Sequence, residues 1–121
     1  MYSTDRNIEI MIFDFNKNKA IATTALECKS PSKKHFNFAL ILIKKNGILE
    51  YNVIERLTGQ VIGRGNKLDK AINDATYTLS VHSATDLYNQ IQRAYNINWE
   101  IMHSLNANVL DELDKLEILY G

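Results

Sequence analysis

The chain has little of what usually staples, breaks or anchors a fold: one cysteine, one proline and five glycines in 121 residues. The single thiol, Cys28, excludes an internal disulfide and any zinc site built on paired cysteines. No apolar run reaches the ~18 residues of a membrane helix. The first ten residues, MYSTDRNIEI, lack a basic stretch followed by a long apolar one, so no secretion signal is expected. Together with the lone thiol this points to a reducing, cytoplasmic compartment. With 45% hydrophobic and 23% charged residues, long disorder is not expected, and the length suits a single domain over residues 1–121. Excess charge of either sign is also missing, which argues against strong non-specific nucleic-acid binding. The balance is uneven, however. Residues 1–70 hold 12 Lys/Arg and 7 Asp/Glu, and residues 71–121 hold 2 and 7.

What is present is alternation. Residues 8–15, IEIMIFDF, read as a strand with Ile8, Ile10, Ile12 and Asp14 on one face. Residues 19–28 suit a helix by their alanines and a strand by their paired threonines, and 30–35 read as a loop. FNFALILIKK (36–45) is apolar on both faces, the mark of a central strand covered on both sides. Asn46-Gly47 supplies a hairpin turn, and the more polar 48–57 returns as an edge strand. Residues 58–65, with three glycines, read as a loop or a short extra hairpin. Asn66 with Asp69 resembles a capping box opening a helix over 66–75. In TYTLSVHS the alternation of Tyr77, Leu79 and Val81 favours a strand ending at His82, although Leu79 also extends the helical stripe of Leu68, Ile72 and Ala75. Ser83 with Asp86 then caps a new helix, INWEIM (97–102) alternates as a last strand, and Asn108 with Asp111 opens a helix over 109–119.

This order, three antiparallel strands followed by alternating helices and strands, resembles the ribonuclease H-like family. IEIMIFDFN is similar to that family's first strand, GNKLDKAI to its first helix, YTLSVHSATDLYNQI to its fourth strand, and INWEIMHSLNANVLDEL to its final strand and helix. The resemblance implies an α/β fold with a five-stranded mixed sheet, strands 1–3 antiparallel, flanked by helices. It implies cleavage of RNA in RNA/DNA hybrids by a divalent pair, Mg²⁺ or Mn²⁺, held by Asp14, Asp69, His82 and Asp111, with His103 moving a proton. His82 stands where the family carries an aspartate. A neutral imidazole suits Mn²⁺ better than Mg²⁺. Phe15-Asn16 replaces the family's Gly-Ser, which puts close backbone approach in doubt. Lys33, Lys34, Lys44 and Lys45 are the expected phosphate contacts.

Plainer readings stand beside these. Asp69 and Asp111 fit helix caps, Asp14 fits a turn, both histidines fit solvated side chains, and Trp99 fits the core. A catalytically degenerate module binding nucleic acid or a protein partner is the rival from another class. A small oligomeric binding protein of unrelated α/β fold is the third, and it would show no convergence of Asp14, His82 and Asp111. The segment GQVIGRGNK also resembles the loop-to-helix junction of double-stranded RNA-binding domains, with Gly63, Gly65, Ala71 and Ala75 in register. Leu68 and Asp69, however, occupy the places of that family's phosphate-binding lysines.

Overall fold

The computed structural model describes all 121 residues as five strands followed by three helices. The strands are β1 (Tyr2–Asp14), β2 (Lys19–Lys29), β3 (Phe38–Lys45), β4 (Ile48–Glu55) and β5 (Val61–Gly65). The helices are α1 (Leu68–Ser80), α2 (Ala84–Leu105) and α3 (Val109–Tyr120), and one turn of 3-10 helix, Pro31–Lys33, precedes β3. The sheet keeps chain order, β1-β2-β3-β4-β5, with every neighbouring pair antiparallel. The α/β class and the number of strands stand; the mixed sheet does not, and β2 and β5 take the places of two strands expected later in the chain. Both segments that would have added parallel strands, 76–82 and 97–102, lie mostly or wholly in helices.

Tight turns explain the meander. Asn46 (φ 52°) and Gly47 (φ 78°) both take the left-handed backbone that a two-residue hairpin needs, and Lys45 pairs with Ile48 across it. β3 is the middle strand, and Phe38, Ala39, Leu40 and Ile41 are all buried, as a strand covered on both faces requires. The helices pack on one face, where Cys28, Phe38, Leu40 and Val53 join Ala71, Ala75, Leu79, Ile91, Met102, Val109 and Leu113. On the other face Ala39, Ile41 and Ile54 are covered by Ile10 and Ala25 of the β1–β2 hairpin. That hairpin is free to do so because β2 pairs with β3 only over Leu26–Cys28 and Phe38–Leu40.

Two expectations about the middle of the chain are corrected. β4 is not an edge strand, since residues 61–65 add β5 beside it. The glycines there serve a close approach: a Cβ on Gly63 would stand 2.5 Å from the Ala75 nitrogen, and one on Gly65 2.7 Å from the Ala71 nitrogen. The 76–82 stretch continues α1 to Ser80. Ala71, Ile72, Ala75 and Leu79 form its buried stripe, and the Thr76 hydroxyl donates back to the Ile72 carbonyl at 2.8 Å. Ser83 does cap a helix, but what ends before it is a helix. Residues 97–102 run within α2 across a kink at Asn98 (φ −127°, ψ 38°), with Met102 buried and Ile97 and Trp99 exposed, so Trp99 is not core.

Candidate functional site

The side chains assigned by the resemblance fall on separate elements, each occupied locally. Asp14 ends β1, and its Oδ1 accepts from the amides of Asn16 (2.9 Å) and Lys17 (3.3 Å), which fixes the β1–β2 turn. Asp69, in the first turn of α1, accepts from the Lys70 amide at 2.9 Å. Asp111 lies exposed in the first turn of α3. His82 sits in the short link between α1 and α2 and lines a cavity of about 100 Å³ with Glu55, Thr78 and Gln90. His103, near the end of α2, shares a 2.9 Å hydrogen bond between its Nε2 and the Tyr95 hydroxyl. No three His, Cys, Asp or Glu side chains are grouped so as to hold a metal ion. The residues present therefore do not fit the Mn²⁺ or Mg²⁺ pair that the resemblance implies.

The lysine set divides in two. Lys33 and Lys34 precede β3, and Lys44 and Lys45 are its last two residues, so most of an eight-residue strand, ~26 Å long in all, lies between the pairs. Lys33 is moreover buried. Lys44 and Lys45 acquire other company. β4 runs back from their end of the sheet and β5 returns towards it, with Gly65 opposite Tyr51. The start of α1 thus places Lys67 and Lys70 towards the same end of the sheet. Arg64 reaches Glu50 at 3.8 Å, whereas Lys44, Lys45, Lys67 and Lys70 have no carboxylate within ion-pair distance. Leu42, Ile48, Leu49 and Leu68 are exposed around them. This end is basic and aliphatic together. Reasoning from sequence missed Lys67 and Lys70; the signal was the glycine–alanine register that seats α1 against β5.

The opposite chemistry lies on the helices. Leu110, Asp111, Asp114, Glu117 and Ile118 share the outward face of α3, spaced by helical periodicity, and all are exposed. Asp111, Asp114 and Glu117 have no cationic partner. Beside them, Tyr88, Gln92 and Tyr95 of α2 complete a groove of about 320 Å³ with Leu110, Leu113, Asp114 and Glu117.

Two interior groups are structural. Glu55 is buried; its Oε1 accepts from the Leu57 amide (2.7 Å), and its Oε2 from the Thr58 amide (2.8 Å) and hydroxyl (2.6 Å). Burial raises its pKa above the ordinary glutamate value, against the lowering effect of those bonds. Burial likewise pushes the Cys28 thiol up to about 11, so it is no nucleophile at neutral pH. No helix is long and apolar enough to cross a membrane. Comparison of the chain with family models, with characterised proteins and with solved structures finds no match.

Proposed function

We propose that the chain is a non-catalytic binding module that assembles with copies of itself. The basic, aliphatic end of the sheet docks into the acidic α2–α3 groove of the next molecule. The observation that carries this is complementarity on both counts: unpaired lysines among exposed Leu42, Ile48 and Leu49 at one place, and unpaired Asp114 and Glu117 beside Leu110 and Tyr95 at another. Exposed aliphatic side chains beside charges suit a protein surface better than a phosphate backbone, which rewards cations and stacking rings. A single end-to-groove contact per molecule is head-to-tail and builds rings or filaments, whereas two such contacts made reciprocally across a two-fold axis close a dimer.

Sedimentation velocity over a range of concentrations tests the reading. The wild-type chain is expected to associate at low salt and less at high salt. The double variants Lys44→Glu/Lys45→Glu and Asp114→Lys/Glu117→Lys should each be monomeric. Mixed together they should associate again as alternating molecules, since each variant's end then meets a groove of opposite charge on the other. A wild-type monomer at every concentration sinks the proposal, as does association that ignores both reversals. Metal-dependent nuclease activity is the competing outcome: cleavage of a labelled RNA/DNA hybrid in Mn²⁺ or Mg²⁺ that Asp14→Asn abolishes would replace a binding module with an enzyme.

A further inference from the structure

At the other end of the sheet the chain leaves three cations around one cavity. The end of β2, the 3-10 turn, the residue before β3 and the residue after β4 enclose about 310 Å³, at the lower limit of small-molecule pockets. Lys29, Lys34 and Arg56 line it, with Ser30 and Asn37 as neutral polar groups and Tyr2 and Phe36 as aromatic wall. None of the three cations has a carboxylate within ion-pair distance. The one acid on the lining, Glu27, is turned to other partners: Arg6 at 3.7 Å and the Thr4 hydroxyl at 3.1 Å. Arg56 is the best held of the three. It is half-buried, and its amide donates to the Asn37 carbonyl at 2.9 Å, which fixes the backbone from which its side chain extends between this cavity and its neighbour.

We propose that this pocket binds a small phosphate monoester with a planar or apolar body, of the size of one nucleotide. Three cations without counter-ions call for a ligand of more than one negative charge. A guanidinium presents paired donors that match phosphate oxygens, and lysines add point charge from the rim. The half-exposed ring of Tyr2 offers flat apolar surface to the ligand's body, and the buried Phe36, stacked on Tyr120, backs the wall. This site is independent of the self-assembly surfaces, which lie at the far end of β3 and on α2–α3.

Isothermal titration of the full chain with adenosine monophosphate, with inorganic phosphate and with adenosine tests it. The monophosphate should bind, inorganic phosphate should bind more weakly through the same cations, and adenosine should not bind measurably. Arg56→Gln should weaken the monophosphate at least tenfold, and the exposed Lys34→Gln should weaken it severalfold without disturbing the fold. Lys19→Gln, exposed at the opposite end of β2 and outside both proposed surfaces, should leave it unchanged. Binding of adenosine as tight as that of its monophosphate overturns the phosphate assignment. No binding of either phosphate to the folded wild type overturns the site, as does binding that Lys34→Gln and Arg56→Gln both leave intact.

Discussion

The strand-forming first 65 residues and the helical remainder follow different rules about where apolar side chains go. In the sheet, alternation and burial agree where the strands pair centrally: Phe38 and Leu40 face the helices, Ala39 and Ile41 face the hairpin, and all four are inside. In the helices they part. Tyr77, Val81, Ile97 and Trp99 are all more than half exposed, while Leu79 and Met102, interleaved with them, are 2% and 1% exposed. An apolar residue predicts burial only when its neighbours need it inside, and these helices set several of their largest apolar residues outside.

The sharpest way to break that contrast is to truncate Leu79 and Tyr77 separately. In a strand the two would share a face and cost alike. In α1 they point apart, so Leu79→Ala should lower stability by about 3 kcal/mol through the cavity it leaves, while Tyr77→Ala changes it by less than about 0.5 kcal/mol. Urea midpoints of the two variants give the comparison directly. Similar large losses for both would mean that the helix is wrongly placed.

Much of the sheet was legible because its signals are local: the Asn46-Gly47 turn, the doubly apolar β3 and the alternation of β1 are written in adjacent residues. β5 was obscured because glycine usually marks loops, whereas Gly63 and Gly65 serve backbone contact with Ala75 and Ala71. The strand readings of 76–82 and 97–102 failed because exposed Tyr77, Val81, Ile97 and Trp99 counterfeit a period of two. The site was less legible than the fold. A basic cluster depends on which strand ends meet, and Lys33-Lys34 and Lys44-Lys45 look equivalent until β3 is placed between them. Asp69 and Asp111 carry the spacing of helix caps and of metal ligands alike, and spacing alone does not decide between them.

The sheet half also differs in hiding a charge. Glu55 ties the β4–β5 connection from inside, whereas the acids of α3 stay at the surface. Glu55→Gln keeps the shape but turns an amide towards the Thr58 donors, so a loss of about 2 kcal/mol is expected. The loss should depend on pH. The folded pKa of Glu55 is raised, so the stability this group lends is fully present below the ordinary glutamate value and lost as pH rises through the raised one. The gap between wild type and variant should therefore narrow from acid to neutral pH in urea titrations. A gap that widens instead would mean that the three hydrogen bonds outweigh desolvation.

The smallest effect separates the three helix starts, which share one pattern in sequence, Asn or Ser followed three residues later by Asp. Only one makes the bond the pattern implies: the Ser83 hydroxyl oxygen accepts from the Asp86 amide at 3.1 Å. Lys67 stands at the N-cap of α1 and makes no side-chain capping bond, leaving Asn66 outside, and Asn108 precedes α3 without a capping bond of its own. Ser83→Ala should then cost about 1 kcal/mol, and Asn66→Ala and Asn108→Ala close to nothing. The reason lies in what precedes each helix. Ser83 follows a short link from α1 and keeps extended backbone (φ −72°, ψ 163°), which points its hydroxyl at the free amides. Asn108 stands at φ −97°, ψ 20°, and its own amide is taken by the Asn106 side chain at 2.9 Å. Equal losses in thermal midpoints for all three variants would show that the pattern suffices without that geometry.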